Sequence, residues 1–112
     1  MTQEMMNDVL SAIAAENASA GAEISRLTRE DRRDEADMVR IRLNVANIVK
    51  SVLEATNRED ASGTTALRKL TGIAETWRKH RGEADAHGDA EAAAIEDVKL
   101  SAMAGWLKRM EG

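Results

Sequence analysis

The chain has 112 residues, a formal net charge of −4, no cysteine and no proline. That length suits one domain, and 43% hydrophobic beside 32% charged residues marks a folded sequence. The composition excludes a disulfide framework, a thiolate nucleophile and a cysteine-ligated metal, and the acidic balance disfavours generic polyanion binding.

Aromatics and β-branched residues favour sheets, yet Trp77 and Trp106 are the sole aromatics here and alanine is abundant. The first predicted helix, 3–28, starts after Thr2, whose hydroxyl can cap free amides. Glu4 and Asp8 then lie near the positive end of its dipole. Its apolar stripe is Met6, Leu10, Ile13, Ala20, Ile24 and Leu27, with Asn17 on the same line. Within the small, polar stretch 17–22, Gly21 costs ~1 kcal/mol relative to alanine and marks a bend or a close helix approach.

Residues 28–37 are almost entirely charged but contain no glycine or proline. Asp31 and Asp34 would fall on stripe positions if the helix continued. The segment therefore reads as a helix end and a tight reversal, with Asp31 or Asp34 capping the next helix. The alternative merges the first two helices into one rod from Thr2 to Asn57, about 80 Å long at ~1.5 Å per residue.

The second helix, 34–57, carries a main stripe of Met38, Ile41, Val45, Ile48, Val52 and Ala55. Beside it runs a second, Val39, Ala46, Val49 and Leu53. Such width suits a central helix or one that also meets another chain. A loop at 60–65 leads to a third helix, 65–81, capped by Thr64 or Thr65, with Leu67, Leu70, Ala74 and Trp77 inward. Arg81 and Gly82 form a stop signal, and 82–88 reads as a polar linker. Asp89 caps the fourth helix, 89–110, which has two stripes: Ile95, Val98, Ala102 and Trp106, then Leu100, Met103, Leu107 and Met110. The expected fold is all-α, an antiparallel bundle of about four helices in a single domain over 1–112.

His80, Glu83, Asp85, His87, Asp89 and Glu91 supply metal-ligand chemistry, but a linker is a poor platform and the calcium-loop spacing is missing. A di-iron site needs Glu-x-x-His, and Trp77 and Ala84 stand three residues before the histidines. Ser11, Ser19, Ser25, Ser51 and Ser101 lie in helices, and Ser62 lacks a nucleophile elbow. Gly63-Thr64-Thr65 is too short for a phosphate loop. No catalytic, cofactor-binding or metal residue is assigned, and the expectation is a protein that is not an enzyme.

Two basic clusters remain, Arg26, Arg29, Arg32, Arg33, Arg40 and Arg42, then Arg78, Lys79, His80 and Arg81. Glu23, Glu30, Asp31, Asp34, Glu35 and Asp37 intervene in the first, which reads as helix-surface ion pairs. The second sits where cations complement a helix C-terminus. Both tryptophans fall on apolar stripes and are expected in the core, meeting in one layer. Asn17, Asn44 and Asn47 are expected at the rim, facing water; placed in the core they would specify register.

Three stretches resemble a family of short uncharacterised helical proteins, seen mainly in anaerobic Firmicutes and their gut relatives. They are Asp31-Arg32-Arg33-Asp34-Glu35-Ala36, then Ile41-Arg42-Leu43-Asn44-Val45 with Ile48 and Lys50, and Trp77 with Ala86-His87-Gly88-Asp89 and Glu96-Asp97-Val98-Lys99-Leu100. The resemblance implies a single helical domain and no particular activity. Relatives carry aromatics in the second helix where this chain has Val49 and Val52.

The longest uncharged run in the first helix, Val9 to Ala15, falls far short of the ~20 residues of a membrane span. Residues 1–8 lack a signal-peptide pattern, so the expected location is cytoplasmic. The expected role is non-catalytic: self-association as a homodimer, or binding of another helical protein, without membrane or small-molecule substrate. The alternative is a nucleic-acid-binding or regulatory protein using its arginine clusters.

Overall fold

Four helices form in chain order in the computed structural model, which describes residues 1–111: α1 (Gln3–Arg29), α2 (Arg33–Asn57), α3 (Thr64–Ala86) and α4 (Ala90–Glu111). Thr2 caps α1 as expected, its hydroxyl accepting the Met5 amide at 3.1 Å. The charged segment after Leu27 is a reversal, and the single rod does not form. Asp31 adopts a left-handed φ of 58°. The Arg32 amide then donates to Leu27 O at 2.8 Å and the Asp31 amide to Thr28 O at 3.2 Å. That pair of bonds closes α1 as a Schellman motif with aspartate where glycine is usual. Turning back buries Ala20 and Leu27 of α1 against Ala36 and Val39 of α2. A rod would leave those side chains in water, and burial of one leucine alone stabilises by ~1.5–3 kcal/mol.

Neither Asp31 nor Asp34 caps α2. Its N-cap is Arg32, which makes no side-chain cap bond, while Asp34 and Glu35 face the dipole from the first turn. The cap expected of Thr64 or Thr65 is also displaced. Gly63 occupies the N-cap of α3 in the left-handed region, and Asp60 supplies the acceptor. Asp60 Oδ2 takes the Thr65 amide at 3.0 Å and the Thr65 hydroxyl at 2.7 Å. Its Oδ1 takes the Ser62 amide at 3.0 Å and the Ser62 hydroxyl.

Helix α3 runs through Gly82 to Ala86, so most of the expected linker is helical. Arg81 explains the continuation: its guanidinium bridges Asp85 at 2.7 Å and Asp97 of α4 at 2.5 Å. Those exposed pairs recover part of the ~1 kcal/mol that glycine costs inside a helix. Termination falls on Gly88, with φ of 69°, where the Asp89 amide donates to Ala84 O at 2.8 Å and the Gly88 amide to Asp85 O at 3.1 Å. Asp89 caps α4 as expected, accepting the Ala92 amide at 3.0 Å.

Successive helices alternate in direction, and α2 and α4 run parallel side by side. Across a slab of 41 × 35 × 20 Å the order is α1, α2, α4, α3; the outer helices do not pack on each other. Helix α2 touches all three others. Its second stripe, Val39, Ala46, Val49 and Leu53, is the fully buried one, whereas Met38, Ile41, Ile48 and Val52 of the first are half-buried. The principal core joins Val45, Ala46, Val49 and Leu53 of α2 to Ile13 of α1, Leu70 and Trp77 of α3, and Met103 and Met110 of α4. Among the described residues, no helix is long and apolar enough to cross a membrane.

Candidate interaction surface

The side chains with conventional site chemistry are dispersed. His80 and His87 are exposed, and His87 Nδ1 lies 2.7 Å from Glu83 O in its own helix end. No group of three His, Cys, Asp or Glu side chains among the described residues is placed to hold a metal ion. Ser11, Ser19, Ser25, Ser51 and Ser101 lie on exposed helix surface, and Ser62 is engaged by Asp60.

Within the first basic cluster, Arg26 pairs with Glu30 at 2.7 Å, Arg40 with Asp37 at 2.8 Å and Arg42 with Glu23 at 3.4 Å. Arg32 engages Glu30 and Glu35, and Arg33 lies 3.6 Å from Asp31. In the second cluster Arg78 pairs with Glu75, and Arg81 bonds to Asp97 and Asp85, which raise its pKa above the usual arginine value. Such exposed pairs contribute little stability, but they neutralise the patch that phosphates would seek.

Two of the three asparagines depart from the expected rim. Asn17 and Asn47 face each other across the α1–α2 seam, both partly buried, whereas Asn44 is exposed. The tryptophans also separate. Trp77 is buried at 9% exposure with Lys99 Nζ 5.6 Å from its ring centroid. Trp106 is half-buried, with the Arg109 guanidinium 5.6 Å from its ring. The antiparallel register set by Arg81–Asp97 and Trp77–Lys99 offsets the two indoles by roughly six residues, or about 9 Å, so they occupy different layers. Glu96, to which the sequence pattern gives no role, gives one oxygen to Lys99 at 3.1 Å and keeps the other buried without a partner.

What the fold does assemble is a groove along one side of α4. Near the α1–α2 turn a depression of about 400 Å³ has Met38, Ile41 and Ile95 as its floor and Asp34, Asp37 and Glu91 on its rim. Farther along, α1 replaces α2 as the opposite wall. There a depression of about 380 Å³ is lined by Ala12, Glu16, Arg42, Ser101, Ala102, Gly105, Trp106 and Arg109. Arg109 then borders a third, with Met5, Asp8 and Val9. Glu91, Ile95, Ala102, Trp106 and Arg109 recur at helical spacing, so one stripe of α4 lines every part.

The groove stays open because α1 and α4 touch sparingly and α4 leans on α2 instead. Small residues, Ala12, Ser101, Ala102 and Gly105, keep its centre shallow. Ser101 makes no hydrogen bond to a base there, and Trp106 and Arg109 are of the residue types that dominate binding energy at protein interfaces. The α4 residues that form it are visible in the sequence as a stripe, of which only Trp106 is expected in the core. No family model, curated protein or solved structure matches this chain.

Proposed function

We propose that this chain is a non-catalytic helical interaction module, acting by self-association or by binding another helical protein. One observation carries the reading. The half-buried α4 residues Ile95, Ala102 and Trp106 line an open groove, although the spacing and composition of their stripe are those of a packed face.

The apolar surplus in the sequence lay on both α2 and α4. In α2 Val39, Val45, Ala46, Val49 and Leu53 are buried, while Met38, Ile41, Ile48 and Val52 stay half-buried, with Met38 and Ile41 lining the same groove. On α4 it faces the groove. Covering it removes apolar area from water at ~25 cal/mol per Å², a favourable term that a partner helix can supply. Nucleic-acid binding has no comparable support, since five of the six arginines in the first cluster pair with Glu23, Glu30, Asp31, Glu35 and Asp37.

Sedimentation equilibrium of the full chain through the micromolar range tests the self-association branch. The expected result is a reversible rise in mass from one chain to two. A strict monomer throughout removes self-association and leaves only a heterologous helical partner.

A further inference from the structure

We propose that a second copy of this chain covers the groove, with the two α4 helices crossing antiparallel about a two-fold axis that passes between Val98 and Ala102. The proposal rests on the self-association reading above and gives it a surface and a geometry.

The argument is charge and shape complementarity of the stripe with itself. A two-fold contact requires one patch to fit its own reversed copy. Reversing α4 about its midpoint sets Glu91 opposite Arg109 of the partner subunit, a carboxylate against a guanidinium. It sets Ile95 opposite Trp106 of the partner subunit, and Val98 opposite Ala102 of the partner subunit. Every class of side chain in the stripe thus meets a compatible one.

The ends of the groove differ in charge as this pairing needs. Asp34, Asp37 and Glu91 rim one end, and Arg40 neutralises one of the three. The N-termini of α2 and α4 add about +0.5 charge each, which leaves that end net negative. At the other end Arg109 lies over Trp106 with Lys108 beside it on the exposed surface, and Asp8 together with about −0.5 charge from the α4 C-terminus offsets most but not all of their positive charge. Near the crossing point, Ser101, Ala102 and Gly105 carry little side chain, so two helices can approach closely there.

The area is sufficient for a modest dimer. From Glu91 to Arg109 the stripe is about 27 Å long, and with one wall it is roughly 20 Å wide. Two such strips bury roughly 1,100 Å², just below standard specific interfaces and in the range of weak, reversible ones. Micromolar dissociation is expected.

The test uses full-length variants at exposed positions, each checked for native helicity. Glu91→Arg and Arg109→Glu should each weaken dimerisation about tenfold, and the double variant should recover to within about threefold. The parent has no cysteine, so Ser101→Cys with a short bis-maleimide should give a covalent dimer, while Ser19→Cys on the outer face of α1 should not. A dimer indifferent to both charge reversals and not linked through Ser101→Cys overturns this geometry while leaving self-association intact. A parent chain that stays monomeric overturns both.

Discussion

The Asn17 amide donates to Asn47 Oδ1 at 3.0 Å, and Asn47 returns the bond to Asn17 Oδ1 at 3.3 Å, while Asn17 also donates to Ile13 O at 3.0 Å. Two asparagines thirty residues apart thereby satisfy each other on a line of otherwise apolar residues. Their side chains fix one register of α1 against α2, because a shift by one turn would leave both amides unpaired. A buried polar pair of this kind specifies alignment at some cost in stability.

Removing one partner should therefore cost more than removing both. Asn17→Leu is expected to destabilise by ~1–2 kcal/mol, since Asn47 is left half-buried without its bond. The double change Asn17→Leu/Asn47→Leu should recover most of that loss. Urea denaturation of the parent, both single variants and the double variant reads the coupling directly. Additive losses would show that the pair does not act as a unit.

Asp31 holds a left-handed backbone at φ of 58°, where a side chain is strained and glycine is not. Asp31→Gly should stabilise by roughly 0.5–1 kcal/mol, after allowance for the greater entropy of glycine in the unfolded chain. The denaturation midpoint should rise at unchanged slope. A lower midpoint would mean that the 3.6 Å approach of Arg33 to Asp31 matters more than the backbone strain.

Gly63 presents the opposite case. Its φ is 82°, and a Cβ there would lie 2.9 Å from the Met1 side chain. Gly63→Ala should destabilise by about 1–2 kcal/mol from the backbone alone, with the contact on Met1 adding to it. Thermal melts against Gly21→Ala provide the contrast. Gly21 has open space around its Cβ direction and ordinary helical φ, so alanine there should stabilise by ~1 kcal/mol.

Asp60 carries the pH dependence. The Ser62 hydroxyl, then the Thr65 hydroxyl and the amides of both residues, hold its carboxyl well below the usual carboxylate range. A depressed folded-state pKa means that the unfolded chain binds the proton more readily. The stabilisation is therefore complete above the unfolded value of about 3.9 and is lost as pH falls from there through the folded pKa. Asp60→Asn should be less stable than the parent at neutral pH, and the gap should close below about pH 4. A gap that persists unchanged into acid would assign the effect to shape instead of charge.

Several elements were legible because their causes are local. Thr2 and Asp89 begin helices through bonds to amides three residues ahead, and each helix follows from apolar spacing within itself. The end of α3 was misplaced for a non-local reason. Gly82 is a good stop signal taken alone, and only Asp97 of α4 reveals that Arg81 carries the helix past it. Asp60 was missed as a cap because its acceptor reaches five residues along a loop that had to close first.

By itself, then, the sequence determined four amphipathic helices, most of their starts and the existence of a broad apolar surface. Periodicity encodes which residues share a face, and that is a property of a single helix. Which face becomes core depends on where the other helices lie, and this only the tertiary structure decided. It sent the minor stripe of α2 inward, joined Asn17 to Asn47, parted the two tryptophans and left the Trp106 stripe of α4 along an open groove.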